Sequence, residues 1–265
     1  MAQRQVTPEL FAKFQNLVAK QVDDQVELFL KSFIFALDDN WKSLVALSKA
    51  FSKYLQESGQ DGQTGSLDPS QAADFLQKNG KTRTAMQRRE EVRDIDIDNN
   101  DRITFTEYLL LHFKAMILTE YYKRTNENHN FDLSNEGIGV TGVGYQLLDE
   151  LFTMPLGLDP ALERAIEEFT NTKKQRENQL KTLRDRAAAG GVRGLAAKNE
   201  IEQLEGQDQT EMNRLELTLN AAKKKASKNS GEEALRAKKN AKEAEERAAA
   251  QASKERLKQR AALWN

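Results

Sequence analysis

Apolar residues recur along this chain mostly at helical spacing. Thr7-Pro8-Glu9 supplies a capping hydroxyl, a proline suited to a first turn and an acid at the positive helix end, ahead of Leu10, Phe11, Phe14, Leu17 and Val18. The next run, Val26, Leu28, Phe29, Leu30, Phe33, Ile34, Phe35 and Leu37, is apolar on more than one side and predicts a helix in the middle of a bundle. Asp39-Asn40 ends it, and Trp41 opens a third helix that runs to Gly59. A small polar stretch, 59–70, precedes a short helix from Gln71. A charged segment, Lys81 to Asp94, leads into an acidic loop and then an apolar helix from Tyr108 to Tyr122. Strand patterns are confined to a few residues around Leu67 and Ile103.

Residues 125–160 hold Gly137, Gly139, Gly142, Gly144 and Pro155, and read as an irregular linker that ends an N-terminal domain, 1–124. From Asp159-Pro160 a long helix carries a narrow stripe: Leu162, Ile166, Phe169, Leu180 and Leu183. A break over Ala187–Ala197 then reverses direction into a helix over 199–228, which makes 161–230 an antiparallel hairpin. Residues 231–265 are rich in Ala, Glu, Lys and Arg and predict a solvated terminal helix. The expected class is all-α.

Composition narrows the chemistry. The chain has no cysteine and only His112 and His129, which excludes thiolate metal sites, cysteine catalysis and histidine-built metalloenzymes. No catalytic constellation is present, so no enzyme is expected. Nor does any window reach the ~20 apolar residues of a membrane span, and no signal-peptide pattern opens the chain, which points to a cytoplasmic protein. The formal charge of −1 is a cancellation, since residues 1–160 hold 17 basic and 24 acidic groups and 161–265 hold 23 and 17.

The strongest chemical signal is the segment 96–107. A calcium-binding EF-hand loop takes oxygen ligands at positions 1, 3 and 5, a backbone carbonyl at 7, a further ligand at 9 and a bidentate glutamate at 12. Those positions are Asp96, Asp98, Asn100, Arg102, Thr104 and Glu107, with Ile103 at the apolar position 8. Position 6, where glycine usually makes the turn, is Asp101, at a cost of ~1 kcal/mol. The expected cofactor is Ca²⁺, bound with an affinity of roughly 10⁻⁷ to 10⁻⁵ M. EF-hands pair, and counting back from Ile103 gives Leu67 at position 8 of a second frame, 60–71. That loop has Gly65 at position 6 but Gln60, Gly62 and Gln71 where acids belong, so it reads as a degenerate hand that supports the other through Leu67 and Ile103.

Other motifs weigh less. Gly137-Ile138-Gly139-Val140-Thr141-Gly142 matches a dinucleotide fingerprint but has no strand before it. Lys223, Lys224, Lys225 and Lys228 form a cationic patch that suits a helix end or an acidic polymer. Nucleic acid is disfavoured, because this half offers few aromatics beyond Phe169 and Trp264.

The stretch from Glu91 through Glu107 to Leu110, followed by Gly191-Val192-Arg193-Gly194-Leu195-Ala196 and the alanine- and lysine-rich run from Leu219 to Lys228, resembles the calcium-regulated 34-kilodalton actin-bundling protein family of amoebae. The resemblance covers about 26–229 and implies a cytoskeletal protein that binds and bundles filamentous actin, with bundling reduced by Ca²⁺. It also implies a principal actin-binding region over 191–228, which holds Arg193, Lys198, Arg214, Lys223, Lys224, Lys225 and Lys228. The alternative is a calcium-sensor adaptor whose C-terminal helices form a coiled coil, with self-association through Leu204, Leu215 and Leu219.

Overall fold

The computed structural model describes residues 7–79, 84–205 and 210–228. Thr7 Oγ1 accepts the Leu10 N–H at 3.2 Å and Pro8 fills the first turn, so α1 spans Pro8–Val18 as its capping sequence dictates. Helix α2, Val22–Leu37, buries Val22, Val26, Phe29, Leu30, Phe33, Ile34 and Leu37. Burial round so much of its circumference needs neighbours on several sides, and α1, α3, α6, α7, α8 and α9 all pack on it. Each buried Phe or Leu contributes about 1.5–3 kcal/mol, which makes α2 the axis of the fold. A 3₁₀ turn, Asp38–Asn40, leads into α3, Trp41–Glu57. Trp41 is fully buried, edge-on to Phe169 with ring centroids 5.3 Å apart.

Helices α4, Pro69–Lys78, α5, Ala85–Ile95, and α6, Phe105–His112, each open with a reciprocal capping box, formed by Asp68 with Gln71, Thr84 with Gln87 and Thr104 with Glu107. Helix α7 spans Lys114–Thr125. The apolar run expected as one helix from Tyr108 to Tyr122 is therefore two, divided at Phe113 (φ −101°, ψ 10°). At the bend Phe113 packs on Phe29, and Lys114 turns inward to donate to Glu91 Oε1 at 3.1 Å and to the Val140 carbonyl at 2.7 Å. Periodicity alone does not reveal a lysine that is 2% exposed.

The segment 125–160 is not an irregular linker. It contains α8, Gly144–Thr153, whose Leu147, Leu148 and Leu151 are fully buried, and a 3₁₀ turn, Met154–Gly157. Five breakers hid a helix of only 10 residues. Three of the glycines at its start are tied to neighbouring elements. Gly137 has φ +70° and lies against the Lys114 chain, the Gly142 N–H donates to Asp94 Oδ1 at 2.6 Å, and a Cβ on Gly144 would meet the Asp94 carbonyl oxygen at 2.5 Å. No domain boundary falls here, because one compact unit runs over 1–219.

Helix α9, Pro160–Ala188, lays Leu162, Ile166 and Phe169 into the core. Further along, Lys173 is 4% exposed and donates to Asp23 Oδ1 at 2.7 Å and Ser48 Oγ at 3.0 Å. The break after α9 is shorter than the sequence suggests. Gly190 and Gly191, at φ +73° and +69°, reverse the chain, and Val192-Arg193-Gly194-Leu195 already belongs to α10, 191–205. Two adjacent left-handed glycines suffice, and Gly194 lets the new helix pass 3.1 Å from the Ala187 carbonyl oxygen, measured from an added Cβ. Arg184 of α9 lies 3.4 Å from Glu205 of α10, the antiparallel arrangement. Residues 210–219 form α11, held to α3 by an ion pair of 2.8 Å between Glu216 and Lys42.

The second compact unit is 220–265, of which 220–228 are described and helical. The expected Ala-rich helix, 231–265, lies outside the described residues. The fold is all-α. Among the described residues no helix is long and apolar enough to cross a membrane.

Candidate metal centre

Asp96 caps the C-terminus of α5 and faces back into the loop, where its Oδ1 accepts the Asn100 N–H at 3.1 Å and its Oδ2 the Asp101 N–H at 3.0 Å. The turn that makes this possible uses left-handed backbone at Asn99 (φ 52°) and Asp101 (φ 53°), so Asp101 adopts the conformation that glycine usually supplies. Asn100 Oδ1 accepts the Arg102 N–H at 2.7 Å. Ile97 and Ile103 are buried and anchor the loop, and Ile103 exchanges two hydrogen bonds with Leu67 at 2.7 and 2.8 Å in an antiparallel bridge.

Carboxylate oxygens of Asp96, Asp98 and Glu107 converge to within 4.8 Å of one another. Glu107 is 0% exposed; its Oε1 accepts the Ile97 N–H at 3.0 Å and its Oε2 the Thr104 N–H at 2.8 Å. Burial pushes its carboxyl up to about 7 despite those hydrogen bonds. Asp96 is raised as well, first by burial and further by the neighbouring Asp98 and Asp101. Asp98 Oδ1 is buried with no hydrogen-bond partner, while its Oδ2 accepts from Gln15 Nε2 of α1 at 2.8 Å. Three crowded carboxylates and an orphaned oxygen form a site of hard anionic oxygens, the donor set that suits Ca²⁺. Asn100 and Thr104 lie on the same loop, with their side chains engaged in turn and cap bonds.

Sequence reasoning missed two contacts. Arg102, considered only for its carbonyl, extends its guanidinium to the other loop, donating from Nε to Ser66 Oγ at 3.0 Å and from Nη2 to the Ser66 carbonyl at 2.5 Å. Its place beside the paired Ile103 is the only signal. Gln15 of α1 gives none, because its separation from Asp98 is purely tertiary. In loop 60–71 the one early acid is satisfied locally: Asp61 accepts from the Gln63 N–H at 3.0 Å and the Thr64 hydroxyl at 2.9 Å, which hold its carboxyl below the usual range.

The basic candidates lie on other elements. Arg193 and Lys198 are exposed on α10, and Arg214 is exposed on α11. Within 220–228, Lys224, Lys225 and Lys228 are exposed and Lys223 is partly covered.

A family model described as the C-terminal region of F-actin bundling proteins matches residues 115–258, more than half of the chain. The chain belongs to the F-actin bundling family. That match contains every basic candidate and begins just after the bend at Phe113, so the acidic loop, 96–107, lies outside it. The crystal structure of the 34 kDa F-actin bundling protein from Dictyostelium discoideum is similar at 19% identity, covering 86% of this chain and 91% of that one with a TM-score of 0.40. No curated protein matches the chain. Family membership of this kind describes a structural, filament-organising protein rather than an enzyme.

Proposed function

We propose that this member of the F-actin bundling family binds and cross-links actin filaments, and that Ca²⁺ on the 96–107 loop reduces the cross-linking. The actin reading is carried by the family match over 115–258, within which Arg193, Lys198, Arg214, Lys224, Lys225 and Lys228 offer exposed cations to an acidic polymer. Convergence of Asp96, Asp98 and Glu107 around an unpartnered Asp98 oxygen supports the calcium reading. With Asn100, Thr104 and the Arg102 carbonyl they would hold the ion, whose charge offsets the cost of burying Glu107.

The residues also offer a route from loop to filament-facing helices. Glu107 sits in the first turn of α6, whose Thr106 is bonded to Gln25 of α2. From α2, Lys31 reaches Glu167 at 2.6 Å and Asp23 reaches Lys173 at 2.7 Å, both on α9, the first helix of the hairpin. A shift of α6 on binding thus bears on α2 and α9, and its size is set by the difference in calcium affinity between the two arrangements.

Co-sedimentation with actin filaments, at high speed for binding and low speed for bundling, tests this with Ca²⁺ and with chelator. The protein should pellet with filaments in both, and bundle less in Ca²⁺. Glu107→Gln should bundle equally in both. A protein that stays in the supernatant throughout overturns the actin reading; calcium-insensitive bundling by the wild type overturns the regulation.

A further inference from the structure

A groove of about 520 Å³ runs between α4 and α5, beside the metal loop and outside the family match. Ala73 and Val92 contribute apolar surface to it, and Arg88, Arg89 and Arg93 line one wall. Arg88 is held by Gln77. Arg89 and Arg93 are exposed and have no ion-pair or hydrogen-bond partner among the described residues. This basic cluster is local, because the half of the chain that carries it, 1–160, has 17 basic groups against 24 acidic ones. Met86, 71% exposed, precedes Arg89 and Arg93 by three and seven residues on α5 and so shares their helix face. An exposed, unbranched methionine is an adaptable apolar anchor.

The chemistry selects an occupant. Guanidinium groups bind carboxylates through paired, charge-assisted hydrogen bonds, and the apolar floor with Met86 favours aliphatic side chains between those carboxylates. Polyanions without aliphatic groups would use the arginines alone, and nucleic acid would find no aromatic residue in the groove lining on which to stack a base. Asp96 and Asp101 also line the groove and bring opposing charge to it. An ion held by Asp96 would offset that charge and leave the arginine wall more strongly positive.

We propose that the α4–α5 groove binds an acidic amphipathic peptide segment of a protein partner, and that Ca²⁺ on the neighbouring loop strengthens the binding. The calcium dependence rests on the calcium reading above; the groove itself does not. Offsetting surface charges in one groove corresponds to about fivefold in affinity.

The test is fluorescence anisotropy of a fluorescein-labelled peptide with Leu and Glu at helical spacing, titrated with the full chain in chelator and in Ca²⁺, beside calorimetric titration of Ca²⁺ alone. The wild type should bind the peptide in chelator and about fivefold more tightly in Ca²⁺. The double variant Arg89→Ser/Arg93→Ser, at exposed positions, should lose about tenfold in both conditions with its helical circular dichroism unchanged and its calcium affinity equal to or above the wild type's, since two charges that repel the ion are gone. The groove proposal is overturned if the wild type fails to bind the peptide, if the double variant binds it as well as the wild type, or if poly-glutamate or a single-stranded oligonucleotide binds as tightly. Peptide binding lost in the double variant, with no calcium heat, supports the groove and overturns the calcium reading. A calcium heat that leaves peptide affinity unchanged overturns the coupling.

Discussion

Gln25 Oε1 accepts two hydrogen bonds from Thr106, one from the backbone N–H at 3.1 Å and one from the hydroxyl at 2.8 Å. Gln25 is 3% exposed and its amide also donates to the Lys20 carbonyl at 3.0 Å, so one side chain of the central helix satisfies an otherwise free donor in the first turn of α6. Gln25→Ala should cost about 1–3 kcal/mol by leaving those groups unpaired in the interior. Urea unfolding checks this; a midpoint equal to that of the wild type would refute the role assigned to Gln25.

Lys173 makes a second buried link, to Asp23. Lys173→Met should lose about 3–5 kcal/mol, because it strands the Asp23 carboxylate out of water. Adding Asp23→Leu removes the stranded charge and should restore most of the loss. If the double variant is as unstable as the single, packing rather than charge explains the effect.

Glu177, 3.5 Å from Lys173, predicts a pH dependence. Burial raises its carboxyl above the ordinary value, opposed by Lys173 and Lys49 and reinforced by Asp23. A raised carboxylate binds its proton more tightly in the folded state, so its contribution is fully present below the ordinary carboxylate value and is lost as pH rises through the raised one. Glu177→Gln should therefore raise the thermal midpoint more at pH 7 than at pH 4, with the difference between variant and wild type growing as pH rises past the ordinary carboxylate value. A constant offset across that range would exclude Glu177 as its source.

Asp101 holds φ 53° and is a further acid beside the carboxylate cluster without belonging to it. Asp101→Gly removes a left-handed cost of about 1 kcal/mol that the folded loop already carries, so its urea midpoint should lie above that of Asp101→Ala, which loses the same charge but keeps the strain. Equal midpoints for the Gly and Ala variants would show that no backbone strain is held at this position.

Much of the fold is legible because its signals are local. Thr7-Pro8 and Asp159-Pro160 mark helix starts through capping and proline chemistry within a few residues, and α2 announces its central place by being apolar on most sides. The carboxylates that converge, Asp96, Asp98 and Glu107, are legible for the same reason, since all lie within 96–107. What escaped depends on distance in sequence. Lys114 is an ordinary exposed cation until Glu91 and Val140 are brought to it, and the glycine-rich stretch looks like disorder until Gly137 is seen against Lys114 and Gly144 against the Asp94 backbone at the end of α5. Gln15 and Asp98 are 83 positions apart. No periodicity connects them.

The place of α2 has a consequence for how the chain can be divided. The family match starts at Ala115, yet α8, α9 and all of α7 but its first residue fall within it and pack on a helix that ends at Leu37. Inheritance and cooperativity thus draw different borders. A recombinant 115–258 fragment would carry the family's region while leaving the apolar faces of three helices without their common partner. Its failure to bind filaments would report a collapsed core, so filament contacts are better mapped by surface substitutions in the intact chain than by truncation.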